Sequence, residues 1–350
     1  MKYAYVGCRT TKERGARGKG IRVYRISENG TWEQVQTIMA DGHPNPSFLA
    51  LNHRGDTLYT VHGDFGEVSA FRVNPDDGTL SLLNTVSSGG INPVHLSVDV
   101  TDHFLFTANL KTGTVSVTAL HTDGSLGEMV HCYTIPGNSE GEVSHPHQAA
   151  QDNTGNFLVI SCQGREAGFG QVDVFRIHHE TGELELTCRH RARRLDEPRH
   201  FVFHKNNRFA YGVNEKNYTV TYYRFNGQNG SLAACQSVPT LPDNCVEDGW
   251  ASGIVMMPDG KHLVVSNRTH DSITSFEIDP ETGRLTLDDC CKTGGRQPRF
   301  ICVTPDGKKI LAANELSDTI REYHLDPATG KLSFTGMEID TESPVCIIFK

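Results

Sequence analysis

Four side chains in this chain have the chemistry of an acid–base site built around an anion: His147, Arg199, Glu215 and Arg268. An imidazole and a carboxylate are the usual groups for taking a proton from water near neutral pH. Fixed guanidinium groups stabilise negative charge as it grows on a reacting oxygen. Separations of 52, 16 and 53 residues place the four on no single helix or loop. They can meet only if the architecture repeats at that spacing.

Such a repeat is present. Its unit is a Pro-led strand, a Gly-containing turn and a second strand ending in small residues, then two more strands joined by a D/E-x-x-G-x-L turn. The proline falls at Pro46, Pro93, Pro146, Pro198, Pro298 and Pro344, with Ala251 at the missing place. Strand-filled periods of this size imply a β-propeller, since one blade cannot bury both faces of its sheet alone. Six units run whole: 45–87, 92–133, 145–191, 197–240, 250–291 and 297–339. Residues 3–38 carry three strands and lack the Pro-led one, which stands at the other end as Pro344–Phe349. The expectation is an all-β, seven-bladed β-propeller forming one domain over 1–350. Its split blade is 1–40 plus 343–350, and the C-terminal strand closes the ring and removes a free edge. Asn29-Gly30, Asp77-Gly78, Asp123-Gly124, Thr282-Gly283 and Thr329-Gly330 supply hairpin turns, and helices should be nearly absent.

In a propeller the first strand of each blade lines the central channel, so equivalent positions can be compared. The residue after the proline reads Ser47, Val94, His147, Arg199, Ser252, Arg299 and Val345. Four are small or β-branched; a histidine and two arginines break the pattern, and an arginine near the axis must be hydrated or paired. The position after the second strand reads Arg9, Gly63, Leu110, Gln163, Glu215, Arg268 and Glu315. His147, Arg199, Glu215 and Arg268 are therefore expected in one pocket, with Arg199, Arg268, Arg299 and His145 binding substrate. The competing view is that such charges are inter-blade ion pairs, Arg199 with Glu215 for example, and it is preferred for Arg9 and Glu315.

Composition excludes other classes. A formal charge of -9 argues against nucleic acid as partner, and no apolar run is long enough to span a membrane. Met1–Val6 already reads as a strand, so no signal peptide is expected. Ten cysteines without a C-x-x-C pair suit a reducing compartment, the cytoplasm. The basic run Arg189–Arg194 reads as a solvated loop between blades. His145 and His147 make poor joint metal ligands on one strand, and too few carboxylates accompany the lining Asn residues to hold a divalent cation, so no metal or cofactor is expected. Gly137-Asn138-Ser139-Glu140-Gly141 fits G-x-S-x-G but lacks the strand and helix of a nucleophile elbow. Arg14 to Gly20 has no helix after it to bind phosphate and reads as a loop.

Pro198-Arg199-His200-Phe201-Val202-Phe203-His204 followed by Phe209–Glu215 resembles the signature of the seven-bladed lactonase family, which holds propeller-type 6-phosphogluconolactonases and 3-carboxy-cis,cis-muconate lactonising enzymes. His145-Pro146-His147-Gln148, Trp250-Ala251-Ser252, Ser266-Asn267-Arg268-Thr269 and Gln297-Pro298-Arg299 carry the likeness further, over essentially the whole chain. The resemblance places the family's histidine, arginine, glutamate and second arginine on His147, Arg199, Glu215 and Arg268. It implies a metal-independent carboxylic-ester (lactone) hydrolase acting on a small anionic sugar lactone, with Glu215 or His147 as the base. Alternatives are a hydrolase of non-phosphorylated urono- or aldarolactones, a muconate-type lactonising cycloisomerase, and a non-catalytic propeller scaffold. The insertion Gly164–Gly170 in the fourth blade, at the pocket rim, bears on substrate choice.

Overall fold

Seven four-stranded antiparallel sheets are arranged around one axis in the computed structural model, which describes residues 2–165 and 169–350. Numbering the split blade first, the others run over 46–87, 93–134, 146–194, 198–239, 251–292 and 298–340. The second strand of each blade packs against neighbours on both faces, which is why Thr57–His62, Phe104–Asn109, Phe157–Cys162, Phe209–Asn214 and His262–Asn267 are buried throughout. The ring closes as the sequence predicts: Pro344–Phe349 pairs antiparallel with Lys2–Cys8, from Ala4↔Phe349 to Gly7↔Cys346. Among the described residues helix is limited to 3-10 conformation, at the turn Lys12–Arg14 and at Arg165.

One expectation needs correction. Arg189–Arg194 is the end of an outer strand, Glu183–Arg194, and not a loop; Arg189 donates to the buried Asp173 carboxylate at 2.9 and 2.7 Å. The lining Asn side chains hold the fold. Asn214 donates to Thr219 and Thr221, and Asn267 to Thr240, Ser272 and Thr274, tying the second strand to the third.

One backbone device recurs in every blade and decides what faces the channel. Proline has no N–H for the ladder, and the inner strand bulges beside it. Pro198 pairs with Asn214 and His200 with Val213, so Arg199 is left out of the pairing. The same slip leaves out His147, Arg299, Ser47 and Val94, and a related one occurs at Ala251. The residue before the proline then accepts a hydrogen bond from the residue after the second strand. Glu215 N donates to Glu197 O at 2.9 Å, Arg268 N to Trp250 O at 2.9 Å, Gln163 N to His145 O at 2.8 Å, and Arg9 N to Ser343 O at 3.1 Å. The two lining positions are thereby locked side by side.

Blades are also fastened by tyrosines that cross the seam. Tyr5, Tyr59 and Tyr211 are fully buried, and each donates its hydroxyl to the carbonyl of a turn glycine in the next blade: Gly78 (2.9 Å), Gly124 (2.8 Å) and Gly283 (2.9 Å). These glycines have φ of 70°, 84° and 76°, which explains the Gly of the D/E-x-x-G turn. Tyr211→Phe leaves the Gly283 carbonyl buried and unpaired, and should lower the unfolding free energy by about 1–3 kcal/mol. Chemical denaturation of the two proteins checks this.

Candidate active site

Glu215 is the hub of the channel mouth. Its carboxylate lies 2.9 Å from Arg199 Nε and 3.0 Å from Arg268 Nη2. Gln163 Nε2 donates to the same Oε2 at 2.8 Å, and Trp250 Nε1 donates to Oε1 at 2.9 Å. The Arg268 guanidinium stacks 4.1 Å above the Trp250 ring and its Nη2 reaches the Ala251 carbonyl. Arg199 Nη1 donates to the Ser252 carbonyl at 2.8 Å. Three consecutive blades, the fourth to the sixth, thus contribute to one buried cluster.

Its electrostatics follow from burial and sign. Burial favours the protonated acid, yet the fields of Arg268, Arg199 and Arg299 prevail and hold Glu215 at about 2, below its ordinary 4.5. Burial and then repulsion from Arg299 and Arg268 push Arg199 well down from the usual arginine range, against the pull of Glu215. A carboxylate with two ion-pair partners, two hydrogen-bond donors and such a low affinity for protons is a weak general base. It is suited to holding two guanidinium groups in place.

His147 stands differently. It is 4 % exposed, and its Nδ1 has no hydrogen-bonding partner among the described residues. Burial, then the field of Arg199, followed by His200 and Arg299, depresses its pKa well below 6.5, so the ring is neutral. It lines a narrow axial recess with Arg199, His200, Arg299, Arg9 and Ser47. Beneath lies a floor of residues two places after the prolines. Phe48 and His95 are 4.1 Å apart and Phe48 and Phe300 6.2 Å, while His200 stands 5.2 Å from His147.

The structure therefore brings His147, Arg199 and Arg299 to one recess and joins Glu215 and Arg268 to it through Arg199. His145 is not among the recess residues: it precedes the inner strand, and its Nδ1 is held 2.8 Å from the Leu110 carbonyl of the third blade. Arg9, expected only as an ion pair, bonds Asp64 at 3.2 Å and also lines the recess. Glu315 accepts from Gln297 at 2.8 Å and is 4.0 Å from Arg299. Trp250, Gln163 and His200 were not selected from sequence; the first adjoins Ala251 at the place of the missing proline, and Gln163 shares the lining position of Glu215. Of the inserted loop, Arg165 donates to Gln163 Oε1 at 2.8 Å, while 166–168 lie outside the described residues. Among the described residues no three His, Cys, Asp or Glu side chains are grouped to hold a metal ion.

Fold and site together define a seven-bladed propeller with a buried imidazole and a carboxylate-braced pair of guanidiniums at its axis. The family model described as lactonase, 7-bladed beta-propeller, matches residues 3–349. The chain belongs to that family. The 6-phosphogluconolactonase of Bacillus subtilis is 30 % identical over 261 residues, 73 % of each chain. That of Cronobacter sakazakii is 32 % identical over 279 residues, 79 % of this chain and 78 % of its own. The structure of a periplasmic gluconolactonase from Pseudomonas aeruginosa superposes with a TM-score of 0.89 at 25 % identity, covering 100 % of this chain and 99 % of that one.

Glu215→Gln leaves two buried guanidiniums without their counter-charge and should cost about 3–5 kcal/mol. Because the folded-state pKa is depressed, the wild-type carboxylate stabilises fully above pH 4.5, and this contribution fades as pH falls through about 2. The stability gap between wild type and Glu215→Gln should therefore shrink across that acid window, as denaturant melts at stepped pH will show.

Proposed function

We propose that the protein is a metal-independent hydrolase of an anionic sugar lactone, of the 6-phosphogluconolactonase type. The curated relatives support the reaction class. The observation that carries the mechanism is the neutral, buried His147 with an unengaged Nδ1, next to Arg199 in a recess rich in cations.

In this reading water attacks the ring carbonyl carbon while His147 Nδ1 takes one of its protons. The carbonyl oxygen becomes an oxyanion stabilised by Arg199, which Glu215, Gln163 and Trp250 hold rigid along with Arg268. Collapse of the intermediate breaks the ring C–O bond, and the proton on His147 passes to the departing ring oxygen. The product is a hydroxy acid, which ionises and releases one proton. The cations that depress the His147 pKa are neutralised by an anionic substrate, so binding raises the ring's basicity when it is needed. Glu215 acts as a positioning residue. Its remaining acceptor capacity is largely used.

The reading also places the protein in the reducing cytoplasm. All ten cysteines are unpaired, with Cys8, Cys162 and Cys346 buried as small apolar groups. No helix among the described residues is long and apolar enough to cross a membrane. No partner beyond the small-molecule substrate is proposed.

Acid release from a panel of phosphorylated and plain aldonolactones tests the reaction, with carboxymuconate as a separate arm. Lactone turnover unaffected by chelator is expected; consumption of carboxymuconate alone would overturn hydrolysis in favour of cycloisomerisation. His147→Ala should lower kcat by roughly 10²–10⁴-fold with little change in Tm. Because the histidine's pKa is depressed, kcat/KM should stay level as pH falls through 6.5 and decline only well below it. A midpoint at 6.5, or full activity in His147→Ala, removes the histidine from the role of base.

A further inference from the structure

Across the recess from the Glu215 cluster lies a second set of polar groups that the hydrolysis described above does not use. Arg9 comes from the split blade, Ser47 from the second and Arg299 from the seventh, all three on the recess wall. Arg9 is 3 % exposed. Its one carboxylate, Asp64, is shared with Arg14, whose Nε reaches it at 2.8 Å. Arg299 has only Glu315 at 4.0 Å, and Glu315 is already engaged by Gln297. Ser47 is 7 % exposed, and its hydroxyl has no hydrogen-bonding partner among the described residues. Buried cations and hydroxyls are ordinarily satisfied, and an under-neutralised pair of guanidiniums beside an unpartnered hydroxyl has the chemistry to bind an anion.

At the lining position where other blades carry Glu215 or Arg268, the second blade carries Gly63. A Cβ there would stand 2.6 Å from both Arg9 Nη1 and Ser47 Oγ. The glycine's φ is outside the left-handed region, so backbone conformation does not require it. Its absent side chain leaves the two donors room to face the recess.

We infer that Arg9, Ser47 and Arg299 form an anion subsite that takes the phosphate of a phosphorylated sugar lactone, holding its carbonyl toward His147 and Arg199. Three donors arriving from three blades suit the several oxygens of a phosphate, whereas a planar carboxylate offers two. Repulsion between Arg9 and Arg299 adds to the case: burial first and then the Arg299 charge bring Arg9 down to about 10, a cost that a dianion between them relieves. This inference rests on the lactonase reading for the identity of the substrate and deepens it by naming the group recognised.

Two measurements test it. Isothermal titration of the wild-type protein with inorganic phosphate should show binding, at least tenfold weaker in Ser47→Ala and Arg299→Gln. Gly63→Ala should weaken it as well, by filling the space without removing a charge. In parallel, the ratio of kcat/KM for phosphorylated over plain aldonolactone should fall at least tenfold in the same variants, and inorganic phosphate should inhibit competitively. Phosphate binding that is unchanged in all three variants, or an unaltered substrate ratio, overturns the subsite. Phosphate binding that depends on Ser47 and Gly63 without turnover of any lactone would sustain the subsite and sink the hydrolase. Lactone turnover with neither phosphate binding nor preference for a phosphorylated substrate would do the reverse.

Discussion

The channel mouth depends on one carboxylate. Glu215 sets one negative charge between two buried, like-charged guanidiniums, and Gln163 and Trp250 donate to its oxygens as well. Burying an isolated cation is far costlier than burying a hydrogen-bonded pair. Without Glu215, Arg199 and Arg268 would turn toward solvent or the inner strands would part. With it, Arg199 is held against the recess, 2.8 Å from the Ser252 carbonyl, and its charge is directed at the neutral His147. The carboxylate acts through the arginines it fixes.

That arrangement is possible because the backbone prepares it seven times. The bulge beside the proline turns one residue per blade out of the ladder and toward the axis, and the hydrogen bond from the second lining residue sets its neighbour beside it. The scaffold is indifferent to what those residues are. Ser47, Val94 and Val345 occupy the same places as His147 and Arg299, so chemistry can vary on one side of the ring without disturbing the blades.

The recess has two sides with different electrostatic states. On the Glu215 side one carboxylate lies within 3.0 Å of two guanidiniums. On the side of Arg9 and Arg299 the carboxylates are shared or distant, and a serine hydroxyl is unpaired.

The sequence alone determined the ring. Proline period, turn glycines and a displaced terminal strand are local signals, and each is enforced by a local cause: a missing N–H, a positive φ, an unpaired edge. It also selected His147, Arg199, Glu215, Arg268 and Arg299, because equivalence between repeats turns position into geometry. It could not assign partners. Whether Glu215 takes a proton or braces two arginines depends on distances across three blades, and only folding brings Gln163 and Trp250 onto its oxygens. The same holds for His145, drawn aside by the Leu110 carbonyl, and for Arg9, read as an ion pair yet facing the recess. Charge pairing and burial are properties of the closed ring, and no single repeat contains them.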